Sequence, residues 1–322
     1  MCTFVAPKMS DLIVPPSLRP GDTIAIVPTA RSIMRDELHD GIELAKSWGL
    51  NVKLSSCVGK KHFQQAGTSK QRAADLQAAF DDPEVRAIWC ARGGYGTVHL
   101  LKHIDLAAFQ RNPKWLVGFS DVTVLHNTLH KLGIASLHAQ MPFNVGAKAD
   151  SARETLRKAL FGEALSLIYA RELGVEPTES NRPGECEGSV VGGNLSLLYA
   201  LRGTPYDIDP TGKILFIEDL DELLYHVDRM IMNLKLAGWF ERIAGLVVGG
   251  MTDMHDKDAA DPFGLSAEQI VARAVGEVNY PVCYGFPAGH IADNRALVMG
   301  QKAKLSVTTD GATLSFLGVQ SN

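Results

Sequence analysis

Short apolar runs alternate with longer amphipathic stretches along most of this chain. Residues 23–27 and 115–117 are runs of the kind that strands buried on both faces produce, and 52–54 and 85–91 predict two further strands. Between them, a helix is predicted up to Trp48, where Gly49 ends it, and another over 69–80. After Gly118, the residues Val124, Leu125, Thr128, Leu129 and Leu132 predict a further helix, with Gly133 placed to close it. Residues up to Pro20 show no clear periodicity and read as a loose start. The stretch 149–187 is more polar, carries Pro177, Pro183 and Gly184, and reads as a connection. Beyond it, 214–217, 246–248 and 282–284 predict strands. Leu223, Val227, Met230, Ile231 and Leu234 predict a helix closed by Gly238, and 304–309 with 312–317 a hairpin turning at Asp310-Gly311. The pattern predicts an α/β protein of two domains. Residues 10–148 would form a mostly parallel α/β sheet, and 188–322 an α/β domain with a β-rich end, joined by 149–187.

Composition narrows the class. The 322 residues are long enough for two cores, and a net charge of −4 gives no basic footprint, which argues against a nucleic-acid partner. No apolar run approaches the length of a membrane span, and the N-terminus lacks the pattern of a secretory signal. The five cysteines are scattered, with no C-x-x-C pair, as in a reduced cytoplasmic protein.

Candidate chemistry gathers where strands end, because sites in such sheets lie beyond the carboxyl ends of the strands. Ser120 follows the run 115–118 and precedes a helix, the strand-to-helix turn in which a nucleophile elbow exposes its hydroxyl. The G-x-S-x-G pattern is incomplete, since Val122 stands two residues after the serine. The alternative is that Ser120 or Asp121 merely caps the helix. Arg92-Gly93-Gly94-Tyr95-Gly96 follows the run 85–91 without a nucleotide-binding signature; it is either a plain turn or a source of backbone N–H groups, near Gly93 or Gly94, facing Ser120 as oxyanion donors. Glu218 is the first residue past the strand 214–217, followed by Asp219 as N-cap and Glu222 as its capping-box partner, which leaves Glu218 free for chemistry. Among ten histidines, His99/His103 and His126/His130 sit at helical spacing without a metalloprotease pattern, whereas a Gly- and Pro-rich loop fixes His290 at a strand end. The acidic loop 253–258 has no second ligand cluster and reads as solvated rather than as a metal site. Ser120, His290 and Glu218 are the set in which nucleophile, base and acid all sit at strand-to-loop junctions.

From about Pro20 to Leu317 the chain resembles the LD-carboxypeptidases (muramoyl-tetrapeptide carboxypeptidases) and the related microcin C self-immunity peptidases. The resemblance rests on Arg92-Gly93-Gly94-Tyr95-Gly96, Gly118-Phe119-Ser120-Asp121, Gly192-Gly193-Asn194-Leu195-Ser196, Gly203-Thr204-Pro205, Glu218-Asp219 with Tyr225 and Arg229, and Gly289-His290 with Asn294. Val298 departs from it, standing where a proline is expected. The resemblance implies a Ser120–His290–Glu218 triad, an acyl-enzyme, two α/β domains meeting at the site, a homodimer, and neither metal nor other cofactor. The Asp121 N–H, with one near Gly93 or Gly94, would bind the oxyanion. The substrate implied is a murein tetrapeptide losing its terminal D-alanine, with Arg92 as a candidate for the free carboxylate. The alternatives are an aminoacyl-nucleotide antibiotic cleaved by the same triad, for which Trp239 would be a base platform unless it is core, and a non-catalytic α/β binding protein.

Overall fold

A computed structural model describes residues 12–171 and 177–318. Residues 1–11, most of the predicted loose start and Cys2 with them, lie outside the described residues. The first half builds strands β1 (Thr23–Val27), β2 (Asn51–Leu54), β3 (Val85–Cys90), β4 (Trp115–Gly118) and β5 (Ser136–His138). Helices α1 (His39–Ser47), α2 (Ser69–Asp81), α3 (Ala107–Arg111) and α4 (Thr123–Lys131) connect them. All four residues of β4 are buried, as a central parallel strand requires. The start of α2 is set locally: Thr68 accepts from the Gln71 N–H, and Gln71 returns a bond to the Thr68 N–H.

The second half adds α5 (Asp150–Leu160), β6 (Ser166–Ala170), β7 (Gly184–Asn194), α6 (Leu195–Leu201), β8 (Ile214–Leu220), α7 (Leu224–Leu236), β9 (Gly245–Thr252) and α8 (Ala267–Val275). It closes with β10 (Val282–Cys283), β11 (Leu297–Met299), β12 (Lys302–Thr308) and β13 (Gly311–Phe316). The stretch read as a connection is therefore structured. Ala152, Leu156, Ala159 and Leu160 give α5 a buried stripe, and β6 alternates buried and open positions at the sheet edge. Glu172–Glu176, within that stretch, lie outside the described residues.

Two sheets result. The first has the order β11-β5-β4-β3-β1-β2, parallel throughout except for β11, which runs antiparallel to β5. The second, β10-β9-β8-β7-β12-β13-β6, is mixed: parallel from β7 to β10 and antiparallel from β7 to β6. β7 is the pivot, since residues 184–189 pair with β12 and 190–194 with β8. β11 belongs by sequence to the second half yet completes the first sheet. One apolar cluster runs from Ile24, Trp89 and Leu137 to Phe216, Phe286 and Leu305, so the two sheets share a core. The chain order of the first sheet reverses between β1 and β3, and the loops after those strands carry Arg31 and Arg92 to the same crevice.

A second local expectation fails. β8 pairs with β9 as far as Leu220↔Thr252, and α7 begins at Leu224 behind Leu223, which makes no side-chain cap. The Asp219–Glu222 pair is therefore no capping box for α7. The sheet ladder outcompetes the cap and leaves Asp219 four residues short of Leu223, where the cap would sit.

Candidate active site

The turn after β4 is strained at one residue. Ser120 has φ +64°, the left-handed region that a side chain occupies at a cost of roughly 1 kcal/mol or more, and it opens a short turn leading into α4. Such a conformation lifts the side chain off the line of the strand. Gly93 comes up against it: a Cβ on Gly93 would lie 3.1 Å from Ser120 Oγ, so a side chain there would crowd the hydroxyl. The N–H groups of Gly93 and Gly94 donate to no acceptor among the described residues. Asp121 makes no cap. It is fully buried and accepts the Thr97 N–H at 2.8 Å, which ties the glycine loop to the turn. Burial pushes the Asp121 carboxyl up, against its hydrogen bonds to Thr97. His126 of α4 braces the other side, bonding Gly118 O at 2.9 Å and Ser136 Oγ at 2.8 Å.

Glu218 lies inside β8, paired beside Asn194 of β7, rather than past the strand end. Across from it the register of β9 slips by one residue at Gly249-Gly250, a bulge of the kind that re-aims side chains near sites. The carboxylate is fully buried, and Oε2 meets His290 Nδ1 at 2.6 Å and the His290 N–H at 3.2 Å. Gly289 makes the approach possible, because a Cβ there would stand 2.7 Å from the same oxygen. Gly289 N–H is in turn held by buried Asn294 at 2.7 Å, and Thr252 Oγ1 donates to His290 O at 2.9 Å. Burial by itself raises Glu218, but the His290 imidazole, helped by His138, outweighs it and leaves this carboxyl at about 2 against an ordinary 4.5. Burial lowers His290, and Glu218 more than reverses that, so the imidazole sits above its ordinary value.

Ser120 and His290 line one cavity of about 630 Å³, together with Arg31, Arg92, Gly93 and Gly94. No hydrogen bond joins the Ser120 hydroxyl to His290 here, while the His290 ring stands 4.8 Å from that of Phe119, the neighbour of the serine. Arg92 reaches the cavity but is held in the chain, with Nη1 3.3 Å from Ser32 O and 3.7 Å from Glu37, and its guanidinium 4.0 Å over the Phe143 ring. Trp239 is buried in the core of the second half. Among the described residues no group of three or more His, Cys, Asp or Glu is placed to hold a metal ion. No described helix is long and apolar enough to cross a membrane.

Several lining residues escape sequence reading. Arg31 lies across Gly94, and Lys148 reaches Ile291 O at 2.9 Å, pinning the backbone next to His290. Asp219 gathers Asn194 Nδ2 at 2.7 Å and Ser196 Oγ at 2.6 Å, so it organises the start of α6; burial raises it to about 6. Nothing local marks Arg31 or Lys148. The Gly192–Ser196 stretch was legible only as part of a resemblance.

Comparison with known proteins identifies the family. A family model described as the LD-carboxypeptidase N-terminal domain matches residues 24–139, and one described as the LD-carboxypeptidase C-terminal domain matches 187–305. A probable murein peptide carboxypeptidase of Bacillus subtilis is 34% identical over 305 residues, 93% of each chain. The solved muramoyltetrapeptide carboxypeptidase from Oxalobacter formigenes superposes with a TM-score of 0.80 at 28% identity, over 91% of this chain and 98% of that one. The solved microcin C7 self-immunity protein gives a TM-score of 0.82 at 21% identity, over 94% and 98%, a likeness of fold. The chain therefore belongs to the LD-carboxypeptidase family of serine peptidases.

Proposed function

We propose that this chain hydrolyses the L,D peptide bond that releases terminal D-alanine from murein tetrapeptides, with Ser120 as nucleophile, His290 as base and Glu218 as acid. The observation that carries the reading is the pairing of His290 with a buried, ionised Glu218 in the same cavity as a serine held at positive φ. Glu218 keeps the Nδ1–H of His290 engaged, leaving Nε2 to take the Ser120 proton as Oγ attacks the scissile carbonyl. The oxyanion that forms is met by the N–H groups of Asp121 and of Gly93 or Gly94. The imidazolium then protonates the leaving amine, D-alanine departs, and water hydrolyses the acyl-enzyme with His290 again as base. The reading places the nucleophile on the sheet of residues 10–148 and the acid and base on 188–322. The protein would act as a homodimer in the cytoplasm, on peptides recovered from the wall.

Hydrolysis of L-Lys-D-Ala and diaminopimelyl-D-Ala peptides, measured beside aminoacyl sulfamoyl adenylates, tests the substrate. Cleavage of the adenylates alone would move the chain to the self-immunity reading. A failure of Ser120 to react with a serine-directed fluorophosphonate would favour a binding protein.

The base must be neutral to accept a proton, and His290 is held above 6.5 by Glu218. kcat/KM is therefore expected to fall with decreasing pH through a limb centred above 6.5; a limb at or below that value would remove the pair as the acting base. The same shift means that the stability His290 contributes is full below pH 6.5 and fades as pH rises through its folded value.

Arg92 and Arg31 line the cavity and suit a substrate with a free carboxylate. Arg92→Ala is expected to raise KM for the peptide by about tenfold with kcat changed little, the pattern of a lost binding contact. An unchanged KM would take Arg92 out of substrate binding.

A further inference from the structure

β5 brings one more imidazole to the buried carboxylate, and no step of the proposed reaction uses it. His138 is fully buried at the end of β5, where the strand pairs with Gly118 of β4 on one side and Leu297 of β11 on the other. The rings of Phe119 and Phe216 meet it edge-on, with centroids 5.7 Å and 4.9 Å away, which fixes the plane of the imidazole. Neither of its ring nitrogens has a hydrogen-bond partner among the described residues. Glu218 has the matching defect: Oε2 takes both contacts from His290, and Oε1 has no partner. The two orphans face each other, with His138 Nε2 3.9 Å from Glu218 Oε1. Buried polar atoms are rarely left unpaired, and a closure of under about 1 Å would satisfy both at once.

We propose that His138 is a positioning residue for the acid of the triad, its Nε2–H donating to Glu218 Oε1 so that Oε2 stays on His290 Nδ1. A carboxylate gripped by one oxygen can still turn about its last bond; a donor on the second oxygen defines its plane. The other ionisable groups nearby are committed elsewhere. His126 of α4, 6.1 Å from His138 between ring centroids, spends both nitrogens on Ser136 and Gly118. Asp219, next on β8, faces Asn194 and Ser196, and Lys148 donates to Ile291 O. The inference rests on the Ser120–His290–Glu218 reading and adds a fourth member that acts only through Glu218.

The test compares His138→Phe and His138→Gln with the parent chain on an L-Lys-D-Ala peptide across pH. His138→Phe is expected to lower kcat about 10–100-fold, the usual range for an outer partner of a site ligand, with KM within about twofold. Its acid limb should move to higher pH, because an unbonded Oε1 makes the His290–Glu218 pair hold its proton more tightly. His138→Gln keeps an N–H donor and should recover most of kcat and the parent limb. Parent-like kcat and limb in His138→Phe would overturn the proposal. So would a loss of kcat with an unmoved limb and no recovery in His138→Gln, which is the mark of packing alone. Should His138→Phe not fold, nitrogen-15 spectra of histidine-labelled parent protein decide: the proton on Nε2 of His138, displaced in shift by Glu218→Gln, supports the contact, and the proton on Nδ1 overturns it. Ser120→Ala and Glu218→Gln are assayed in parallel. Parent-like activity in both would mean the triad reading itself has failed, whereas inactivity in both with a parent-like His138→Phe confines the failure to His138.

Discussion

Replacing Ser120 by alanine is expected to lower kcat by ~10⁶-fold, the scale on which a serine peptidase depends on its nucleophile. The same variant should unfold within about 2 °C of the parent, because the mutation touches the chemistry and not the strain. Ser120 is held at φ +64° by β4 on one side and the turn into α4 on the other, and alanine has to adopt the same conformation at a similar cost. What disappears is Oγ alone, the atom that crowds the space above Gly93. Fluorophosphonate labelling should vanish with turnover, since both need the same oxygen. Steady-state kinetics on a D-alanine-terminated peptide, with thermal unfolding alongside, settle it: turnover within about 100-fold of the parent would leave Ser120 a turn residue with no part in bond cleavage.

Glu218→Gln carries the second largest expected effect, a fall in kcat of ~10⁴-fold with KM nearly unchanged. Glutamine fits the same space beneath Gly289 but can offer an N–H to His290 Nδ1, where the carboxylate only accepts. The imidazole then turns over its tautomer and carries its proton on Nε2, the nitrogen that must be bare to receive one from Ser120. A second signature separates this from simple damage. Burial lowers His290, and the Glu218 charge is the largest influence lifting it, ahead of that of Asp219, so residual activity should show an acid limb at lower pH than that of the parent. A variant with substantial turnover and an unmoved limb would leave the buried carboxylate without a part in the reaction.

Much of the scaffold could be read before any coordinates. Buried parallel strands need apolar side chains on both faces, so β1 and β4 appear as nearly unbroken apolar runs, and β3 as one interrupted only by exposed Arg86. Gly49 and Gly133 mark helix ends for a local reason, φ of +79° and +71°. The failures share a different cause, that long-range pairing decided what local pattern could not. Asp219 and Glu222 have the spacing of a capping box, as Thr68 and Gln71 do, but only the second pair is free of a competing strand partner. The stretch after 148 looked polar because α5 shows its charges outward, while its buried face is only two alanines and two leucines. Within the site, Ser120 was legible because it follows directly on β4, His290 because a Gly- and Pro-rich loop holds it, and Glu218 because the apolar run 214–217 stops just before it, although β8 itself continues to Leu220. His138 was not, since a histidine in a short apolar strand looks like any core residue until Glu218, far along the chain, is set beside it.

The return of β11 to the first sheet has a consequence for how this architecture can be divided. Its three residues, Leu297–Met299, cover the open flank of β5, the strand whose last residue is His138. A fragment cut after residue 148 would expose that flank as a bare row of backbone donors and acceptors, an invitation to pair with a second copy. The two halves matched by separate family models are thus not interchangeable modules. Recombination between relatives that swaps the N-terminal half alone has to find, in the recipient's C-terminal half, a strand that still fits the edge it left behind.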